Sequence, residues 1–349
     1  MLISKLFGGF PFLKKTPVNL FIHVGPGKTG SSVIQNWSVQ NQDFLAKSRF
    51  FYPNHGFDSN GISSGHANKL CSRELVSLND QVKYSPPYFD SAKSKLFLKV
   101  IQSLKYPNIL LSSEAFWMQL DSLCQFFPQA KFIFYIRSPM SFLESGYNQR
   151  VKRQNIFTEI KETLPNYKVQ CYGAKMLLDM VAKYGRERFI IKLYNRKRFK
   201  EGNVLYDFYS IFGLTKLPNV EHKEINTSYS FEALEFKRFL NQFEISRQFN
   251  IKLDQLLQRY PDGDYQYSLL PPEFFHITKK KEVEYMQALL QELQFNAVEI
   301  EEYLEDLNAT PQKNYRTQSE LAKDSELMWD YIQKDDASLC QYLKQIVKK

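Results

Sequence analysis

The chain has 349 residues, 43% of them apolar, with 29 Phe and 21 Tyr, enough for a sizeable core in one large or two ordinary domains. Its formal net charge of +9 favours an anionic partner, but the basic residues are interleaved with acids and no helix-turn-helix, zinc-finger or RNP pattern occurs, which sets nucleic acid aside. Cys71, Cys124, Cys171 and Cys340 lie far apart without metal or redox spacing and read as ordinary reduced or buried thiols.

The first 17 residues form an extension whose short apolar piece is broken by Gly8, Gly9 and Pro11 and contains Lys5, a poor signal peptide. No run reaches the roughly 20 apolar residues that cross a bilayer, so a soluble, cytoplasmic protein is expected, with peripheral membrane contact through residues 1–13 left open. Leu20, Ile22 and Val24, with Phe21 between them, read as a strand buried on both faces. Val33, Ile34, Trp37, Phe44 and Leu45 then recur at helical spacing. The loop between them holds Gly25, Gly27, Lys28, Thr29, Gly30, Ser31 and Ser32. Glycines let the backbone turn and approach a ligand, and unpaired helix N–H groups, hydroxyls and the lysine favour a phosphate or a sulfate. The nucleotide-triphosphatase pattern G-x-x-x-x-G-K-[ST] fails, because Ile22 stands where its first glycine belongs. A glycine-rich turn with a solvated lysine is the plainer alternative.

Arg49–Tyr52 reads as a short strand stopped by Pro53, followed by a polar loop in which His66 is a reserve substrate contact; most such histidines have no special role. A helix is expected over Asp90–Leu104, then a buried strand, Asn108–Leu111, running into Ser112, Ser113 and Glu114. Ligands bind at the carboxyl ends of strands in open α/β sheets. Ala115–Phe127 reads as a helix, and Lys131–Ile136 is the plainest strand, ending in Arg137. Ser138 can cap the next helix and Pro139 fits its first position, which makes Met140–Lys152 helical and lets Arg137 and Ser145 face one ligand. Tyr167–Tyr184 reads as a helix and Phe189–Tyr194 as a fifth strand; past Leu217 the pattern is helical over 229–256 and 279–307, with a final docked helix near Trp329, Tyr331 and Tyr342.

The loop, of the form G-x-G-K-x-G-[ST]-[ST], resembles the 5′-phosphosulfate-binding loop of sulfotransferases, which use 3′-phosphoadenosine 5′-phosphosulfate. The stretch YIRSPMSFLESGY resembles their 3′-phosphate element: Arg137, Pro139, then Ser145 eight residues after the arginine and Tyr147 two beyond. It departs from that element in carrying Ser141 and Phe142 where many members have an arginine, and the late R-K-G segment of cytosolic members is missing. The resemblance covers residues 18 to about 213 and is weak beyond.

What it implies is an α/β, P-loop-like three-layer fold with a central, mostly parallel five-stranded sheet. The expected domains are the extension 1–17, the core 18–216 and a helical extension 217–349 packed on it. It also implies a metal-free enzyme whose product is 3′-phosphoadenosine 5′-phosphate. Gly27, Lys28, Thr29, Gly30, Ser31 and Ser32 would hold the 5′-phosphosulfate, Lys28 would stabilise the departing phosphate, and Arg137 with Ser145 would hold the 3′-phosphate. Tyr194 falls where an aromatic lies near the adenine, though a core tyrosine at a strand end is equally expected. Glu114, about two dozen residues before Arg137, takes the place of the general base, with helix capping as its alternative role. The acceptor would be a hydroxyl of a bacterial surface glycan or its precursor, or another hydroxyl compound, and an anionic one suits the charge. A small-molecule kinase and a non-catalytic nucleotide- or glycan-binding module on the same fold are the competing readings.

Overall fold

Five short runs rich in Ile, Leu and Phe pair into one sheet in the computed structural model, which describes residues 18–57, 63–78, 81–104, 106–220, 228–318 and 325–348. The extension 1–17 lies outside these residues. The strands are β1 (Asn19–His23), β2 (Phe50–Phe51), β3 (Asn108–Ser112), β4 (Lys131–Ile136) and β5 (Phe189–Leu193). They lie in the order β2-β3-β1-β4-β5, and every pairing is parallel. Successive side chains point to opposite faces. Leu110, Ile133 and Tyr135 pack with Ile34, Trp37 and Phe208, while Ile22, Leu111, Phe132 and Phe134 pack with Leu177 and Met286. Both faces are therefore covered, and two-sided burial is why these strands read as unbroken apolar runs. The chain crosses from β3 to β4 over β1, so the carboxyl end of β1 sits at the switch point of the sheet, the place where open α/β sheets bind ligands.

Several boundaries differ from the expectation. The run after β3 begins as a 3-10 helix, Glu114–Gln119, and becomes α-helical only over Leu120–Phe126. The helix expected from Tyr167 starts at Ala174, because Gly173 takes a left-handed φ of 85° beneath Trp117. A β-carbon there would lie 2.8 Å from the indole ring. The loop after Pro53 folds into two small antiparallel pairs, Cys71–Ser72 with Tyr88–Phe89 and Leu75–Leu78 with Gln81–Tyr84. The tail is not purely helical either: Tyr267–Ser268 and Asn314–Tyr315 form a parallel pair. All four cysteines are buried and unpaired. No helix among the described residues is long and apolar enough to cross a membrane.

The helices that matter for the site are α1 (Ser31–Gln40), α2 (Pro139–Gln154), α3 (Phe231–Leu240), α4 (Arg247–Leu257) and α5 (Pro272–Glu292). Ser138 accepts a bond from the Ser141 N–H and Pro139 occupies the first position of α2. That helix buries Met140, Tyr147 and Val151 against Leu234, Leu240, Leu253 and Leu257 of α3 and α4. Its amino end is tied to α5 by Glu282, a buried carboxylate whose Oε1 accepts from the Met140 N–H at 2.7 Å. An anion is favoured there by the unpaired N–H groups of the first turn. Glu282→Ala leaves that N–H without its partner and is expected to cost about 1–3 kcal/mol. Urea titration checks this as a lower midpoint at unchanged slope.

Candidate active site

The loop after β1 is anchored by the Val24 N–H, which donates to the Ile133 carbonyl at 3.0 Å. Lys28 and Gly30 both adopt left-handed conformations, φ 70° and 83°. Glycine tolerates this, but a lysine rarely does, and such outliers gather where a loop is held for a purpose. Helix α1 then starts without any side-chain cap, so its first N–H groups face the loop. Ser31 Oγ is buried with no hydrogen-bond partner among the described residues, and Ser32 follows it on the same turn. Thr29 differs from the expectation: its hydroxyl turns inward and donates to the Pro26 carbonyl at 2.7 Å, closing the loop. Gly25 and Gly27 floor the cradle. A β-carbon at Gly25 would meet His23 Nε2 at 2.8 Å, and one at Gly27 would meet Glu114 Oε2 at 3.3 Å.

Arg137, at the end of β4, closes the opposite wall. Its Nη1 donates to the carbonyl of Lys28 at 2.6 Å and its Nε to Ser141 Oγ at 2.9 Å, with the guanidinium 5.2 Å from the centre of the Tyr194 ring. Burial works against its charge, and the Tyr194 side chain beside it favours it. Glu144, on the same helix as Ser141, accepts from Ser268 Oγ and the Leu269 N–H. Tyr194 extends β5, its N–H donating to Ile136, and its ring packs on Phe199 beside Gly30. It is thus both a core residue and the shelf beneath Arg137.

Glu114 is exposed at the end of β3, beside Gly27, and it is not the cap of its helix: Ser113 accepts from the Ala115 N–H. His66 is a different case from the reserve substrate contact named above. It is fully buried, Nε2 donating to the Pro53 carbonyl at 2.6 Å and Nδ1 accepting from the Ser112 N–H at 2.9 Å. Burial drives its pKa down to about 3, so it stays neutral and braces the loop on β3. His23 is the histidine nearer the cradle, bonded to Ser112 Oγ at 2.9 Å and likewise held neutral.

Helix α2 also carries a polar face that its sequence spacing encodes. Ser141, Ser145, Gln149 and Arg153 recur every fourth residue and form a polar stripe along one face. Ser141 bonds Arg137, and Gln149 Oε1 accepts from Lys28 Nζ at 2.6 Å. Ser145, between them, donates to the Phe142 carbonyl at 3.2 Å. One helix therefore carries partners of both walls.

No protein-family model matches the chain. It is 28% identical over 149 residues to an uncharacterized protein of Archaeoglobus fulgidus, and the match spans about 40% of each chain. A sulfotransferase crystal structure from Alicyclobacillus acidocaldarius aligns with 80% of this chain and 98% of its own, at 13% identity and a TM-score of 0.42.

Burial lowers the Lys28 pKa to about 8; Glu114 opposes the shift and Arg137 and Arg153 add to it. Below pH 8 the ammonium is charged in folded and unfolded chains alike, and folding bears the cost of burying it. Between about 8 and the unperturbed value of about 10.5 only the unfolded chain keeps the proton, so stability rises with pH through that window. Urea titrations from pH 7.5 to 10.5 are expected to show this rise in the unliganded protein relative to Lys28→Met, which lacks the group.

Proposed function

We propose that the chain is a sulfotransferase that moves the sulfuryl group of 3′-phosphoadenosine 5′-phosphosulfate to an acceptor hydroxyl, on a glycan or its precursor. The observation that carries this is the bond between Arg137 and the Lys28 carbonyl, which makes one site of the two motifs. The cradle suits the donor: an uncapped helix terminus, a Ser31 hydroxyl without a hydrogen-bond partner among the described residues and a partly buried lysine all favour an anion. Against a kinase stands Ile22, fully buried within β1 where the triphosphate loop needs a glycine.

When bound, the donor supplies the sulfuryl group and a bisphosphate leaving group. Lys28 faces the negative charge that grows on that leaving group, and its flexible stem lets the ammonium follow it. Arg137 and Ser145 hold the 3′-phosphate. Glu114, exposed beside Gly27, takes the proton of the acceptor hydroxyl. The loop and α2 fix the in-line arrangement, since positioning is most of what such a transfer requires.

Thermal-shift titration is expected to show stronger stabilisation by 3′-phosphoadenosine 5′-phosphate than by ATP with magnesium, and Arg137→Ala to lose most of the difference. Equal or stronger stabilisation by ATP would sink the proposal. Glu114→Gln is expected to lower turnover by roughly 10²- to 10⁴-fold while leaving nucleotide affinity nearly unchanged, because it keeps the shape and removes the basicity. Full turnover in that variant would dismiss Glu114 as the base.

A further inference from the structure

The donor reading leaves the carboxyl-terminal turn of α2 unexplained. There Arg153 pairs through Nη2 with Asp254 Oδ2 on α4 at 2.8 Å, the arginine side chain being 24% exposed and the aspartate 3%. Lys152 lies beside it, buried, with its ammonium 4.4 Å from the centre of the Tyr229 ring. Lys237, fully buried on α3, donates to Asn241 Oδ1. Asp254 also accepts from the Tyr229 hydroxyl and, at 2.8 Å, from Gln258 Nε2. Asp254 pairs with Arg153 directly and acts on Lys152 and Lys237 through its charge, and Lys28 is close enough to oppose Lys152. Burial pushes Lys152 down to about 7 and Lys237 to about 8, with Asp254 pulling each back.

Burying more positive than negative charge is costly, and an anion from outside offsets it. Of Lys152, Arg153 and Lys237, Arg153 has the exposed surface to receive one. Its guanidinium is a five-donor fork suited to carboxylates and sulfate esters, and the Asp254 pair engages Nη2. Arg153 also stands just over one helical turn, about 6 Å of rise, beyond Gln149, the residue that holds the Lys28 ammonium. An anion on Arg153 therefore lies close to the transferring group, on the side away from Arg137.

We propose that Arg153 is the acceptor-recognition residue and that the acceptor carries a carboxylate or sulfate ester near the hydroxyl that is modified. The inference rests on the donor reading. Binding of 3′-phosphoadenosine 5′-phosphate to the full chain is therefore measured first, and its absence overturns both. The nucleotide-saturated protein is then titrated by calorimetry with methyl β-D-glucuronide, D-glucose 6-sulfate and the neutral methyl β-D-glucoside. At least one anionic sugar is expected to bind about tenfold tighter than the glucoside, and which one identifies the anion. Arg153→Gln leaves Asp254 with the Tyr229 hydroxyl, Gln258 and the nearby charges of Lys152 and Lys237, and is the companion test. It is expected to lose the charge preference and keep nucleotide affinity within about threefold. If bound nucleotide leaves all three sugars equal, or Arg153→Gln keeps the preference, this inference alone is overturned.

Discussion

The hydrogen bond from Arg137 to the Lys28 carbonyl is the constraint on which the site depends. A backbone carbonyl facing an anion cradle would repel the anion, and a charged donor on that oxygen removes the repulsion while fixing the loop. Bonds of this kind contribute roughly 1.5–3 kcal/mol. The guanidinium is in turn oriented by Ser141 and by the Tyr194 face, so its position is set from three elements. The unusual left-handed φ of Lys28 belongs to the same arrangement: it presents the carbonyl to Arg137 and leaves the side chain to reach Gln149.

Helix α2 joins the site to the rest of the molecule. Its apolar side, with Met140, Tyr147 and Val151, is buried in the helices past residue 228, while its polar stripe meets Arg137 and Lys28. A rigid helix held on one side carries that order to the other. Glu282 holds its amino end, Ser268 and Leu269 bond Glu144 further along, and Asp254 pairs with its carboxyl-terminal turn, so residues past 228 hold the helix along its length. Fold alone does not assign a reaction.

Much of the architecture was legible because its signals are local. The runs around Ile22, Ile109 and Phe132 are continuous and apolar because both faces of a parallel strand are covered, and a glycine-rich loop before an amphipathic run marks a strand-to-helix turn. Legibility failed for elements of two to four residues, such as Cys71–Ser72, whose periodicity is too short to read. It failed again at Gly173, where the packing of Trp117, remote in sequence, decides where the helix begins.

By itself the sequence determined the five strands, the loop and the arginine after β4, since each follows from residue type and spacing within one short window. Only the tertiary structure decided which of those groups meet. Lys28 is 109 residues from Arg137 and 121 from Gln149, and strand order together with the rotation of α2 about its axis brings them into contact. The same cause buries His66. His66 sits in a polar stretch of sequence yet is buried, because folding lays its loop across β3 and supplies backbone partners for both ring nitrogens. Polarity within a window states what a residue can bond; long-range packing determines whether water or protein provides the partner.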